Sequence, residues 1–452
     1  MRISVAIRSV SWRRAAPYAL VFLVSLLCSG LHMARYQNLS PIDELRHLDY
    51  AIKVSHGEFT YFGDKLGEVA MREEMCRGVD LSGWADPPCR AKKIDPVQFR
   101  DDGWQTASPH PPTYYFAAGM TARILHRLGF DFYVDGARLF SALVTALGVM
   151  LTFHLTRRVG IHPLVGIAGS LSALALPSVL HSSAIVTPDA ASIAVGATVA
   201  LVVYRFSSRG GPMWSLALAG ALAGGVKLTN VFSAAAGALF LIAGSDLFDG
   251  KKLKRPSPET FRRIKAAALL VGSALATLVV WLVIDSARAT IDPSIIPQNQ
   301  LNQYVGTPPS SLLLSPSVIL SWLPPGENYL HAAFQPYLFF LTKSVMMTLL
   351  TAAGFFALFR AERSDGPTQY VACGAATAIL GSLLFSLATT AYTQTLITPQ
   401  SRYGLALLPL LVLGLTAQVT SKTGRVVITA LGAFVVVTVV GSLWMAPTLR
   451  LG

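Results

Sequence analysis

A chain of 452 residues with 52% hydrophobic and only 13% charged side chains has the composition of a polytopic membrane protein, which excludes a soluble enzyme held by a single anchor. Its net charge of +13 is not a nucleic-acid signal, because much of the excess lies in short loops between apolar runs, where anionic lipid attracts it. The expected fold class is all-α, with the membrane span rather than the soluble domain as its unit.

A spanning helix needs about 20 apolar residues. In chain order such runs fall at 16–34, 136–156, 163–181, 188–205, 212–226, 229–245, 265–285, 338–359, 369–391, 402–419 and 425–446, which makes eleven expected spans. The first follows Arg2, Arg8, Arg13 and Arg14 in the manner of a signal sequence. Without a persuasive small-residue cleavage site after Cys28-Ser29-Gly30-Leu31, it reads as an uncleaved signal anchor. The stretch 113–128 is short and carries Arg123, His126 and Arg127, which predicts an interfacial or re-entrant helix.

Lys and Arg in short loops favour the cytoplasm. A cytoplasmic N-terminus puts Arg157-Arg158, Arg205 with Arg209, Lys251 to Lys265, Arg360 with Arg363, and Lys422 with Arg425 all inside. The expected organisation is then a cytoplasmic N-terminus and first span (1–34), an external loop with interfacial helices (35–135), a block of spans (136–285), a second external loop (286–337) and the C-terminal spans (338–452). A cell inner (plasma) membrane location with the working face outside follows from this arrangement.

The first external segment holds 13 of the 24 acidic residues between positions 36 and 112. It is rich in helix formers from Asp43 to Arg77, then turns to Gly, Pro and Asp through Trp84-Ala85-Asp86-Pro87-Pro88 and Asp101-Asp102-Gly103-Trp104. Cys76 and Cys89 either form a disulfide in an oxidising compartment or stay free thiols, whereas Cys28 and Cys373 lie in expected spans and are inert. The second external segment is dense in Pro, Asn and Gln, as in Pro297-Gln298-Asn299-Gln300 and Trp322-Leu323-Pro324-Pro325-Gly326-Glu327-Asn328, and shows no clear strand periodicity. Loops of that length tend to be functional.

Polar residues at the external helix ends converge on one side: Asp43, Glu44 and His47, then His110, His181 and Asp189, then Lys227 and Asn230, and finally Arg402 and Tyr403. Asp43 and Glu44 are adjacent, so on a helix they point about 100° apart and one must dominate. A carboxylate at a partly dehydrated interface suits a general base taking a proton from an acceptor hydroxyl; an acidic pair that merely opens a helix would complement its macrodipole instead. Lys227, in Gly224-Gly225-Val226-Lys227-Leu228-Thr229-Asn230, and Arg402, in Pro399-Gln400-Ser401-Arg402-Tyr403-Gly404, are external cations suited to a lipid phosphate, the guanidinium in bidentate fashion; anchoring at the interface is the plainer role for both. His110-Pro111-Pro112-Thr113-Tyr114-Tyr115 sets a rigid turn before an aromatic helix, so that His110 and Tyr114 are candidate substrate contacts beside ordinary belt anchoring. Thr187-Pro188-Asp189 opens a further span, where Asp189 fits capping better than binding. No phosphate-cradling glycine loop, Gly-x-Ser-x-Gly elbow, Cys-x-x-Cys pair or His-Glu-x-x-His motif occurs, which leaves nucleotide-driven transport and zinc hydrolysis unsupported.

The order of Pro-x-Asp-Glu-x-x-His after the first span, His-Pro-Pro-x-Tyr-Tyr, Thr-Pro-Asp, a central Lys and a late Gln-Ser-Arg-Tyr resembles the domain-of-unknown-function family 2142 of bacterial membrane proteins. That family is similar to the GT-C type glycosyltransferases. The resemblance implies a GT-C architecture and an enzyme that moves a hexosyl or pentosyl group from a polyprenyl-phosphate donor to an envelope glycan, lipid or protein acceptor outside the cytoplasm, with inversion. It implies Asp43 as base and Lys227 and Arg402 near the donor phosphate; Glu44 beside Asp43, and His47, His110, Tyr114, Asp189 and Tyr403 at the same helix ends, are the further catalytic and binding candidates by their placement. The related transferases often have Lys-Pro-Pro-Leu-Tyr-Tyr where this chain has His110 and Thr113, and Gly where it has Ser401. A divalent metal could assist departure of the leaving group, but no ligand set is specific enough to name. A transporter or flippase of a lipid-linked precursor is the alternative; such carriers place ionisable groups near mid-membrane on paired interrupted helices.

Overall fold

The computed structural model describes residues 12–81, 83–245, 257–291, 303–305, 314–326, 337–360, 366–393 and 395–447. Arg2 and Arg8, the loop cations before Ser257, and the Pro297–Gln300 and Glu327–Asn328 stretches lie outside the described residues. Each of the eleven expected spans falls on helical structure. Among the described residues, seven helices are long and apolar enough to cross a membrane: α1 (Trp12–Arg35), α5 (Tyr133–Arg158), α8 (Asp189–Arg209), α11 (Pro258–Arg288) and the helices Tyr337–Arg360, Gly366–Thr393 and Lys422–Met445. The other four runs make shorter helices, and the interruptions have local causes.

The third expected span, 163–181, is not continuous. It forms α6 (Pro163–Ser172), a 3-10 turn at Ala173–Ala175 and α7 (Pro177–Ser182). Pro177 lacks an amide proton and pushes Leu176 out of the helical region, to φ −82° and ψ 123°. Likewise α9 (Met213–Val226) and α10 (Val231–Ala243) are separated at Lys227, whose φ of −159° and ψ of 142° are extended. The run at 402–419 begins as a seven-residue 3-10 stretch, Ser401–Leu407, before the α-helix Leu408–Ala417.

Helices α9 and α10 form a hairpin along α11. Gly220 stands beside Leu270 and Gly224 beside Ala274, whereas Gly237 meets Leu270 and Gly244 meets Arg263; α9 thus runs with α11 and α10 against it. At the hairpin's end Gly225 faces Thr277, eleven residues before α11 stops, so the Lys227 turn is recessed by about 16 Å from that end at 1.5 Å per residue.

The segment between α1 and α5 folds over the same end. It contains α2 (Glu44–Ser55), α3 (Glu68–Arg77), short 3-10 turns and α4 (Thr113–Arg127). α4 packs on both α2 and α5, and α1 on α5. A Cβ at Gly119 would collide with the carbonyl of Ala51, so only glycine lets α2 and α4 approach this closely. The segment is pinned by Glu73, whose carboxylate accepts the amides of Tyr133 and Val134 at 2.5 and 2.9 Å, satisfying donors that the first turn of α5 leaves free. Arg77 pairs with Asp135, and Cys76 is disulfide-bonded to Cys89 with Cα atoms 4.5 Å apart. In the second segment, Gln303–Val305 pairs antiparallel with Thr395–Ile397 as a two-stranded ribbon. Three residues are too short a run for period-two patterning to register.

Candidate active site

Asp43 precedes α2 in a left-handed conformation, φ 59° and ψ 3°. Few residues other than glycine enter this region, Asp and Asn most readily. Its side chain keeps 35% exposure, with one carboxylate oxygen 3.6 Å from Arg46 Nη1 and the other 3.4 Å from Arg402 Nη2. Arg46 in turn pairs with Asp101. Arg402 Nε lies 3.4 Å from Asp189 Oδ2, and the other oxygen of Asp189 pairs with Lys227 Nζ. The result is an alternating string, Asp43–Arg402–Asp189–Lys227, which runs from a partly open carboxylate to an ion pair whose side chains are each 4% exposed.

The local chain geometry explains how these groups meet. Asp189 opens α8, Lys227 sits in the extended break after α9, and Arg402 lies on the 3-10 stretch. Gly196 holds that stretch against α8, since any Cβ there would strike the carbonyl of Ala406. The Tyr403 ring stands between the cations, 4.5 Å from Lys227 Nζ and 5.5 Å from the Arg402 guanidinium carbon, within cation–π range. Beside Lys227, Asn230 is fully buried, and among the described residues neither its Nδ2 nor its Oδ1 finds a hydrogen-bond partner, nor does the buried Thr229 Oγ1.

His47 and His110 flank the string with ring centroids 5.8 Å apart, and Tyr115 Oη lies 2.8 Å from His47 Nδ1. Burial holds His47 well below the usual imidazole range, helped by His110, and brings His110 down to about 4. Both rings are therefore neutral near pH 7, able to hydrogen-bond but adding no charge.

Several expected site residues take other positions. Glu44, expected as a second catalytic carboxylate, has 0% exposure and accepts four hydrogen bonds: from Arg138 Nε and Nη2 at 2.7 Å each, Ser40 N at 2.7 Å and Val186 N at 2.9 Å. With both oxygens occupied it positions the chain and has none free for a substrate. Tyr114 is turned away similarly: its hydroxyl lies 2.6 Å from Ser141 Oγ and accepts the Thr187 amide at 3.0 Å, which fixes the turn ahead of Asp189. His181 Nε2 lies 3.1 Å from Ser40 Oγ. Asp189, weighed between capping and substrate binding, joins the two cations. The residues not anticipated are Arg46, Asp101, Tyr115 and Arg138. Of these only Tyr115 carried a signal, as the second tyrosine of a pair whose members must point about 100° apart on α4. Among the described residues no three His, Cys, Asp or Glu side chains converge as metal ligands, so no step is assigned to a metal.

No protein-family model matches the chain, and none of the curated proteins matches it. Solved structures do. The crystal structure of ArnT from Cupriavidus metallidurans bound to undecaprenyl phosphate superposes with a TM-score of 0.52 at 16% identity, covering 92% of this chain and 62% of that one. The Archaeoglobus fulgidus oligosaccharyltransferase AglB, in complex with an inhibitory peptide and a dolichol-phosphate, gives 0.45 at 13% identity over 98% of this chain and 57% of that one. The S. cerevisiae protein O-mannosyltransferase complex Pmt1-Pmt2 bound to the sugar donor gives 0.42 at 18% identity over 66% and 38%. The chain thus spans about three fifths of the length of the ArnT structure. The fold of this chain is that of the GT-C membrane glycosyltransferases, helical and multi-pass.

Proposed function

We propose that the protein is an integral membrane glycosyltransferase, akin to the domain-of-unknown-function family 2142, that transfers a hexosyl or pentosyl group from a polyprenyl-phosphate donor to an envelope acceptor on the external face, with its N-terminus in the cytoplasm of an inner-membrane topology. The observation that carries the reading is Arg402, shared at 3.4 Å between the half-buried Asp43 and the buried Asp189. A cation held on one side by a buried carboxylate and on the other by a half-buried one can exchange the half-buried partner for a lipid phosphate. Asp43 then becomes free beside the sugar.

In the reaction the acceptor oxygen attacks the anomeric carbon as its bond to the phosphate oxygen breaks. Asp43 takes the acceptor proton, and the electron pair leaves with the polyprenyl phosphate. Negative charge grows on that phosphate in the transition state, so Arg402 and Lys227 stabilise the transition state more than the bound donor. Attack opposite the leaving group inverts the centre. The unpartnered amide of Asn230 and hydroxyl of Thr229 offer the mixed donors and acceptors that sugar hydroxyls match. The recessed Lys227 turn suits a donor whose tail stays in hydrocarbon, as does the undecaprenyl phosphate carried by the ArnT structure.

The test is purified protein in liposomes with polyprenyl-phosphate sugars, reading release of free polyprenyl phosphate. Asp43→Asn should bind donor but not transfer, and Arg402→Ala should transfer far more slowly, with a smaller loss of donor binding. Full turnover by Asp43→Asn would sink the assignment of the base.

A further inference from the structure

At the opposite end of α5 and α8 a cavity of about 580 Å³ is lined by Arg158, Arg205, Arg209, Tyr204, Leu201 and Val202, with His154 at its wall. Sixteen residues of α8 separate Arg205 from Asp189, about 24 Å at helical rise, so this cavity is separate from the site above. We infer that it binds a phosphate mono- or diester, presented by an anionic membrane lipid.

Arginines at helix ends usually reach outward to solvent and headgroups, each on its own. Here three cations from two helices turn toward one concavity. Arg205 and Arg209 are four residues apart on α8 and so share a face, where like charges repel. Among the described residues no carboxylate pairs with Arg158, Arg205 or Arg209. Arg158 is also oriented: its Nε donates to His154 Nε2 at 3.1 Å, and His154 Nδ1 lies 3.0 Å from Tyr18 Oη. Because an arginine can only donate, His154 Nε2 carries the lone pair, so the ring's proton sits on Nδ1 and points at Tyr18. That chain leaves the two terminal nitrogens of Arg158 for a ligand. Guanidinium forks match the geometry of phosphate oxygens, and the Leu201 and Val202 wall suits the first carbons of an acyl chain.

The experiment is native mass spectrometry of the full chain in detergent with equal phosphatidylglycerol and phosphatidylcholine added. The inference expects retention of phosphatidylglycerol over phosphatidylcholine, and an about tenfold weaker preference in Arg158→Gln/Arg205→Gln/Arg209→Gln, the loss of one or two charge-assisted hydrogen bonds. Arg205→Gln alone, at an exposed side chain, should weaken it in the same direction if the triple variant does not purify. Lys422→Gln/Arg425→Gln, which removes charge elsewhere, should leave it unchanged. Competition by inorganic phosphate would place the recognition in the phosphate group alone, and its absence would place it in the whole lipid. Equal retention of the two lipids by the native protein, or an unchanged preference in the triple variant, would overturn the inference, whatever the fate of the transferase reading.

Discussion

The carboxylates of Asp43 and Glu44, neighbours in sequence, are held by different arginines: Asp43 lies 3.4 Å from Arg402 and Glu44 2.7 Å from Arg138. One pair is partly open and the other is sealed, so Asp43 can meet a substrate and Glu44 cannot.

Glu44→Gln should destabilise the protein by about 3–5 kcal/mol, because it leaves the Arg138 guanidinium charged and buried without its counter-ion. Thermal unfolding in detergent reads this directly. A variant that melts with the native protein would mean the pair is not holding the segment around α2 to α5.

Arg402→Ala should lower transfer about 100-fold, the scale for removing one donor to a developing oxyanion. Arg402→Lys should recover only part of the loss, since a single ammonium cannot bridge Asp189 and a phosphate as the fork does. Steady-state release of polyprenyl phosphate distinguishes these outcomes.

Asp189→Asn and Lys227→Met should each cost about 3–5 kcal/mol by stranding a buried charge, while Asp189→Leu/Lys227→Met regains most of that stability. The double variant should still fail to transfer sugar. Restored melting together with restored activity would assign the pair to scaffolding alone.

Glu74, on α3, is pushed up to about 8 by burial, with Asp86 adding to the rise. Between its ordinary range near 4.5 and that value, the folded protein holds a proton that the unfolded chain has lost, so this group's contribution falls as pH rises through the window. Glu74→Gln mimics the neutral acid. It should flatten the decline of melting temperature from pH 5 to pH 8, and an unchanged slope would refute the assignment.

The apolar helical runs and their order were legible because about 20 apolar residues between charged loops leave few alternatives, whereas seven of the eleven runs form helices long enough to cross a membrane among the described residues. Helix interruptions at Leu176 and Lys227 were not, since hydropathy has no term for a proline's effect on its predecessor or for an extended residue between two apolar helices. At the site, Asp43, Lys227 and Arg402 stood out as charges at the ends of apolar runs. Arg138 did not, being an interior residue of an expected span, and its pairing across 94 positions with Glu44 has no signature in one sequence. Glu44 and Tyr114 were misassigned for a shared reason: a motif fixes neighbours along the chain but not the direction each side chain takes.

The positive φ of Asp43 narrows what can stand at that position. A left-handed backbone accepts glycine, asparagine and aspartate with least strain, and only the last of these carries a negative charge. Glutamate brings the charge but prefers another backbone, and alanine loses charge and conformation together. Asparagine is thus the replacement that removes the ionised group while keeping both the turn and a polar side chain of the same size, and the fold admits a single acid here.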